Sequence, residues 1–194
     1  MVVLLFGFLS TFADAALLKR GKRMVYDTCL NITILDFSYN SQGFIDAHLW
    51  AKDLVVYFNY HRIADWRLPK LITACTGYAC KQSELGHLWY VELKNQRLYR
   101  WDGTINPNGG LQDVGPFVNL YPEAYWLGPR NQSLLDRSYS WGFDMDSGAQ
   151  SKIDFEYQAS YGIAVRDGDI SLVMTDTRDD AEDEAAMGDE ERFE

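Results

Sequence analysis

The sequence predicts an all-β protein: a single antiparallel β-sandwich or jelly-roll domain followed by a disordered acidic C-terminal tail. Three observations carry this expectation. Short stretches rich in Val, Ile, Thr, Tyr and Phe recur between clusters of Gly, Asn and Asp, the spacing of strands and turns in such folds. Long apolar runs of helical period are scarce. The chain has 194 residues, 47% of them hydrophobic, enough for one sizeable core and hardly for two. A barrel is the alternative arrangement of the same strands.

In chain order, residues 30–39 read as a half-buried strand that ends at Asn40-Ser-Gln-Gly43. Residues 45–53 are the best helix candidate, because Ile45, Leu49 and Trp50 share one face at helical spacing. Residues 54–63, with Val-Val-Tyr-Phe-Asn-Tyr, read as a strand, and so do residues 87–93, which alternate about Trp89 and Val91. Leu98-Tyr-Arg-Trp101, Asp102-Gly103 and Thr104-Ile105 make a hairpin, since Asp-Gly supplies the positive φ that a tight turn demands. Residues 106–130 are broken by Pro107, Pro116, Pro122 and Pro129 yet stay apolar through Phe117, Leu120, Tyr121, Tyr125 and Trp126. They are expected to form a long loop packed on the sheet, or the lip of a groove. A second hairpin is expected from residues 161–165, a turn at Asp167-Gly168, and residues 170–174.

The termini point to export. Residues 1–15 are an apolar run ending in Ala13-Asp-Ala15, the small-residue pattern of a signal-peptidase site. That run is shorter than the ~20 apolar residues needed to span a bilayer, so membrane insertion is not expected. Residues 16–23 contain Lys19-Arg20 and Lys22-Arg23, which resemble the sites cut by subtilisin-like proprotein convertases, and read as a propeptide or linker. Residues 24–177 form the domain. Residues 178–194 hold nine acids against two arginines, a composition that buries too little apolar area to fold. The formal net charge of −10 argues against nucleic acid, which requires clustered Lys and Arg.

In an oxidising compartment Cys75 and Cys80 are placed for a local disulfide around Gly77, a short loop whose closure contributes about 2 kcal/mol. Cys29 is then left over, and an interchain bridge through it is one route to oligomers. Pairing of Cys29 with one of the other two is the alternative. Asn31-Ile-Thr33 and Asn131-Gln-Ser133 fit the N-glycosylation acceptor pattern, which places both asparagines at the surface. No metal or other cofactor is expected, because His48, His61 and His87 show no recognised ligand spacing.

Catalytic signatures are weak. In Ser151-Lys-Ile-Asp-Phe-Glu-Tyr157, strand alternation places Lys152, Asp154 and Glu156 on one face. Over these few residues the chain resembles the Glu-Ile-Asp-Phe-Glu strand of laminarinase-like and xyloglucan-modifying glycoside hydrolases. The resemblance implies an acid/base role for Glu156 and a tuning role for Asp154. It also puts Lys152 where the nucleophile belongs, and a lysine cannot serve a retaining hydrolase there. Asp144-Met-Asp146 adds two further carboxylates for an enzymatic reading, and a solvated turn is the simpler account of them.

Aromatic residues make up 14% of the chain, including six Trp and twelve Tyr. Rings of this kind stack on sugars or anchor protein partners. Trp101, Trp126, Tyr125 and Trp141 lead as ligand-binding candidates. The expected function is a secreted, non-enzymatic binding module for a glycan or an extracellular protein. A secreted polysaccharide hydrolase or lyase and a disulfide-linked structural protein are the alternatives.

Overall fold

A computed structural model describes residues 16–71, 75–128, 139–154 and 160–171. The expected signal peptide, the acidic tail, Asn131 and Glu156 lie outside the described residues, as does the end of the second expected hairpin beyond Ser171. The fold is mostly β, with 36% strand and 14% helix and sheets dominated by antiparallel pairs.

The first sheet has the order β1-β2-β3-β11, with β1 at Leu17–Lys19, β2 at Met24–Asp27, β3 at Ile32–Leu35 and β11 at Val165–Asp167. In β2 and β3 apolar side chains interleave with Tyr26 and Thr33, and the register sets Met24 against Leu35 and Asp27 against Ile32. The reversal between them is pinned by the Asp27 carboxylate, whose Oδ1 accepts from both Cys29 N and Leu30 N at 2.9 Å. Asn31 takes the positive φ, 52°, that closes the turn, a conformation Asn tolerates well. It is exposed.

Within the expected propeptide or linker, Leu17–Lys19 form the edge strand of this sheet. β1 pairs with β2 from Leu17 opposite Asp27 to Lys19 opposite Val25. The Arg20 guanidinium grips the Asp169 carboxylate through Nε at 2.7 Å and Nη2 at 2.5 Å. Lys22 and Arg23 are exposed at the hairpin tip, but the Arg23 carbonyl accepts from Asp36 N at 2.8 Å.

The second sheet has the order β4-β10-β7-β8-β9, with β4 at Tyr39–Ser41, β7 at Ala124–Leu127, β8 at Tyr139–Asp144, β9 at Ala149–Asp154 and β10 at Ser160–Gly162. It departs from a purely antiparallel sheet at one place, where β10 meets β7 in parallel through Tyr161 and Tyr125. Residues 30–39 therefore serve two sheets: the chain bends at Asp36, whose carboxylate receives Val118 N and Asn119 N and so ties down the long loop. That loop ends earlier than expected, because Tyr125 and Trp126 belong to β7.

The predicted helix is present as α1, Phe44–Asp53, but its buried face is Phe44, Ala47 and Ala51, while Ile45 and Leu49 of the expected apolar face are exposed. Residues 54–63 are not one strand but a hairpin, β5 (Val56–Phe58) against β6 (His61–Ile63). Asn59 and Tyr60 reverse it, with φ of 47° and 69°, the two-residue turn whose twist suits paired strands.

Residues 87–92, expected as a strand, are helical. α2 (Glu84–His87) starts at Ser83, whose hydroxyl accepts from Gly86 N, and continues into a π-helical segment, Leu88–Glu92. Leu85, Leu88 and Trp89 are all buried. Their i, i+3, i+4 spacing outweighs the two-residue alternation that suggests a strand.

The second hairpin also differs from expectation. Gly168 does turn with φ of 84°, but residues 160–162 and 165–167 sit in different sheets, and β11 pairs with β3. Arg67 joins this corner, binding Glu84 through both guanidinium arms at 2.8 and 2.9 Å and also contacting Asp167.

Two buried clusters form the core. One gathers Val25, Ile34, Trp89, Tyr125, Phe143 and Val165, and the other Met24, Leu35, Phe44, Trp66, Trp126 and Ile153. Among the described residues no helix is long and apolar enough to cross a membrane.

Candidate functional site

Cys75 and Cys80 are disulfide-bonded with Cα atoms 5.7 Å apart. The ring they close presents Tyr78 and Ala79 at one side of an open cleft of about 590 Å³. The Tyr90 hydroxyl donates to Gly148 O at 2.7 Å and accepts from Ala79 N at 3.0 Å, which holds the ring against the β8–β9 turn. Burial pushes the Tyr90 phenol up from its ordinary pKa, so it stays a neutral donor.

The opposite wall is the Trp101 hairpin. Arg100 N donates to Thr104 O at 2.8 Å, Gly103 N donates to Arg100 O at 3.1 Å, and Tyr99 faces Ile105. The loop thus holds three residues, 101–103, with Gly103 at φ 81°, one residue more than the expected two-residue turn. This turn pushes Trp101 outward until 84% of it is exposed. The indole does not hang loose, because the Arg97 guanidinium lies over it, 3.7 Å from the ring centroid. Arg97 Nη1 is buried with no hydrogen-bond partner among the described residues.

Lys81 and Arg100 bring two more cations to the lining, and Asn95, Gln96 and Asn106 bring amides. Among the described residues no carboxylate lines the cleft. Asn95 is occupied in shaping the wall, as its Oδ1 accepts from Gln112 N and Asp113 N.

The other aromatic candidates are core residues. Trp126 and Tyr125 are fully buried, which corrects the expectation that they border a groove. The Trp126 indole N–H donates to Ser41 Oγ at 3.1 Å, and Tyr125 Oη accepts from Tyr121 N at 2.9 Å. Burial raises the Tyr125 phenol to about 12. Trp141, 7% exposed, packs within β8, and Lys152 Nζ sits 5.9 Å from its ring and 3.9 Å from that of Tyr139.

Among the described residues, Asp154 of the enzymatic alternative stands far from Asp144 and Asp146. Asp144 pairs with Ala149 and Asp154 with Tyr139, so they occupy opposite ends of one ladder, roughly 17 Å apart at the rise of a strand. Asp144 is committed to its own turn, where it accepts from Asp146 N at 2.9 Å and Ser147 Oγ at 2.6 Å. Lys152 and Asp154 do share the exposed face of β9.

No family model, curated protein or solved structure matches this chain.

A second cluster unites residues that spacing does not link. Cys29, free and exposed in the β2–β3 turn, meets His87 and Glu92, and the ligating atoms of all three lie within 4.8 Å of one another. His87 Nε2 is 3.1 Å from Glu92 Oε1, and these two side chains are 13% and 3% exposed. The one signal in the sequence is the five-residue interval from His87 to Glu92, which becomes meaningful only if the helix is widened to π geometry.

Proposed function

We propose that the protein is a secreted binding module that recognises an acidic glycan in the cleft beneath Trp101. The observation that carries this reading is the outward Trp101 indole stacked on Arg97, with Lys81 and Arg100 also lining the cleft and no carboxylate among its described lining residues. A sugar ring stacks on an exposed indole through its C–H face. The cations supply charge-assisted hydrogen bonds to a carboxylate or sulfate on the sugar. In a chain of net charge −10, three cations gathered at one cleft focus attraction on an anion. The Cys75–Cys80 disulfide is compatible with an extracellular setting.

We infer in addition that the two larger sheets pack as an open sandwich, because both core clusters draw residues from both sheets. In such an arrangement a binding cleft at the rim is carried by loops on a rigid frame.

The test is an array of neutral, uronate-bearing and sulfated glycans probed with the secreted protein and with Trp101→Ala. Binding to acidic glycans that weakens as salt rises, and falls more than about tenfold in the folded variant, is the expected result. A blank array, or binding indifferent to Trp101→Ala, overturns the reading.

A further inference from the structure

We propose that Cys29, His87 and Glu92 form a binding site for a divalent transition-metal ion, with zinc the best match, independent of the glycan cleft. Two remote pieces of chain build it. The β2–β3 turn delivers Cys29, held in place by the Asp27 carboxylate that accepts its backbone N–H. The helical segment delivers the other two residues.

Helix geometry explains why His87 and Glu92 meet. In an α-helix, residues five apart point about 140° away from each other. Here Leu93 N donates to Leu88 O at 2.9 Å, an i to i−5 bond that widens the turn and swings Glu92 back over His87. Such π segments are rare and are found frequently at functional sites.

The donor set suits zinc. A thiolate, an imidazole and a carboxylate are its three protein ligand types, and three of them leave one position for water or an outside ligand. Metal–ligand lengths of about 2.0–2.3 Å in a tetrahedron require the ligating atoms to stand about 3.3–3.6 Å apart. The His87–Glu92 pair is already at 3.1 Å. The whole set lies within 4.8 Å, so rotation of the exposed Cys29 side chain closes what remains.

Charge points the same way. Asp27 is fully buried beside the turn, and its Oδ2 has no hydrogen-bond partner among the described residues. With Glu92 it sets negative charge around the thiol, which a divalent cation balances.

The test uses the purified full chain, isolated without reductant so that Cys75–Cys80 stays closed, and titrated with Co²⁺ and then Zn²⁺. One equivalent of Co²⁺ is expected to produce a sulfur-to-cobalt charge-transfer band that Zn²⁺ abolishes. Cys29→Ser, a change at an exposed position, removes the band while near-ultraviolet circular dichroism reports a native fold. His87→Gln and Glu92→Gln each weaken binding more than about tenfold, and His48→Gln leaves it unchanged. The proposal is overturned by a folded protein that shows no band, by a band that survives Cys29→Ser, or by an affinity that neither His87→Gln nor Glu92→Gln moves. Isolation of the protein with every Cys29 locked in an interchain disulfide overturns it as well.

Discussion

Asp169 and Gly148 are the residues whose chemistry makes the most definite claims. The Arg20 guanidinium, by hydrogen bonding to the Asp169 carboxylate, lowers its pKa from 3.8 to about 2. A group held below its free pKa stabilises the fold above that free value and loses the contribution as pH falls through the folded one. Chemical denaturation between pH 5 and pH 2 should therefore show stability falling as the pH drops from about 4 through about 2, by about 1 kcal/mol once solvent screening of this partly exposed pair is allowed for. Asp169→Asn should remove that portion of the slope, and an unchanged profile would show that the pair contributes little. Gly148 turns at φ 79°, and a Cβ there would stand 2.5 Å from Trp89 Cη2 and 2.9 Å from Tyr90 Oη. Gly148→Ala combines backbone strain with overpacking, and a loss of about 3 kcal/mol in equilibrium unfolding is expected.

At the scale of elements, the β5–β6 turn is the place where a substitution should help. Tyr60 is fully exposed and holds a positive φ of 69°, so it carries strain and buries nothing. Tyr60→Gly restores the Asn-Gly pair that this turn prefers and should raise stability by about 1 kcal/mol, read as a higher denaturation midpoint. The β7 strand behaves in the opposite way. Trp126 is wholly enclosed between α1 and the second sheet, edge-on to Phe44, so Trp126→Ala should cost about 3–5 kcal/mol. Trp101→Ala, on an exposed loop, should leave the unfolding midpoint almost where it is. If the two variants destabilise equally, the division between core and cleft is mistaken. The α2 and π segment shows why elements of this kind elude pattern reading: its buried Leu85, Leu88 and Trp89 obey a helical period, while Trp89 and Val91 also satisfy a strand's alternation over a shorter span. The N-terminal cap at Ser83 is the local signal that decides between them.

For the molecule as a whole, the first sheet begins before the dibasic pairs end, and this changes how they can be processed. A protease must draw several residues into an extended strand, but Arg20 is tied to Asp169 and the Arg23 carbonyl is bonded to Asp36. A dibasic-specific protease is therefore expected to cut the folded chain slowly at both pairs, and faster in sub-denaturing urea, as mass spectrometry of timed digests will show. Rapid cleavage of the native protein at either pair would mean that β1 detaches readily. The predominance of strands, a helix near 44–53 and a hairpin at Trp101 are legible in the sequence alone, which also favours the Cys75–Cys80 ring but leaves Cys29 as a competing partner. Their signals lie within a few positions of one another: an Asp-Gly turn, a helix-length apolar stretch between turn residues, two cysteines around a glycine. Tertiary structure alone decided which tryptophans are core and which is displayed, that 160–162 and 165–167 separate into two sheets, and that Cys29 stands beside His87 and Glu92. These outcomes depend on contacts between segments far apart in the chain, where local propensity is silent and the burial of apolar area across the whole core selects the arrangement.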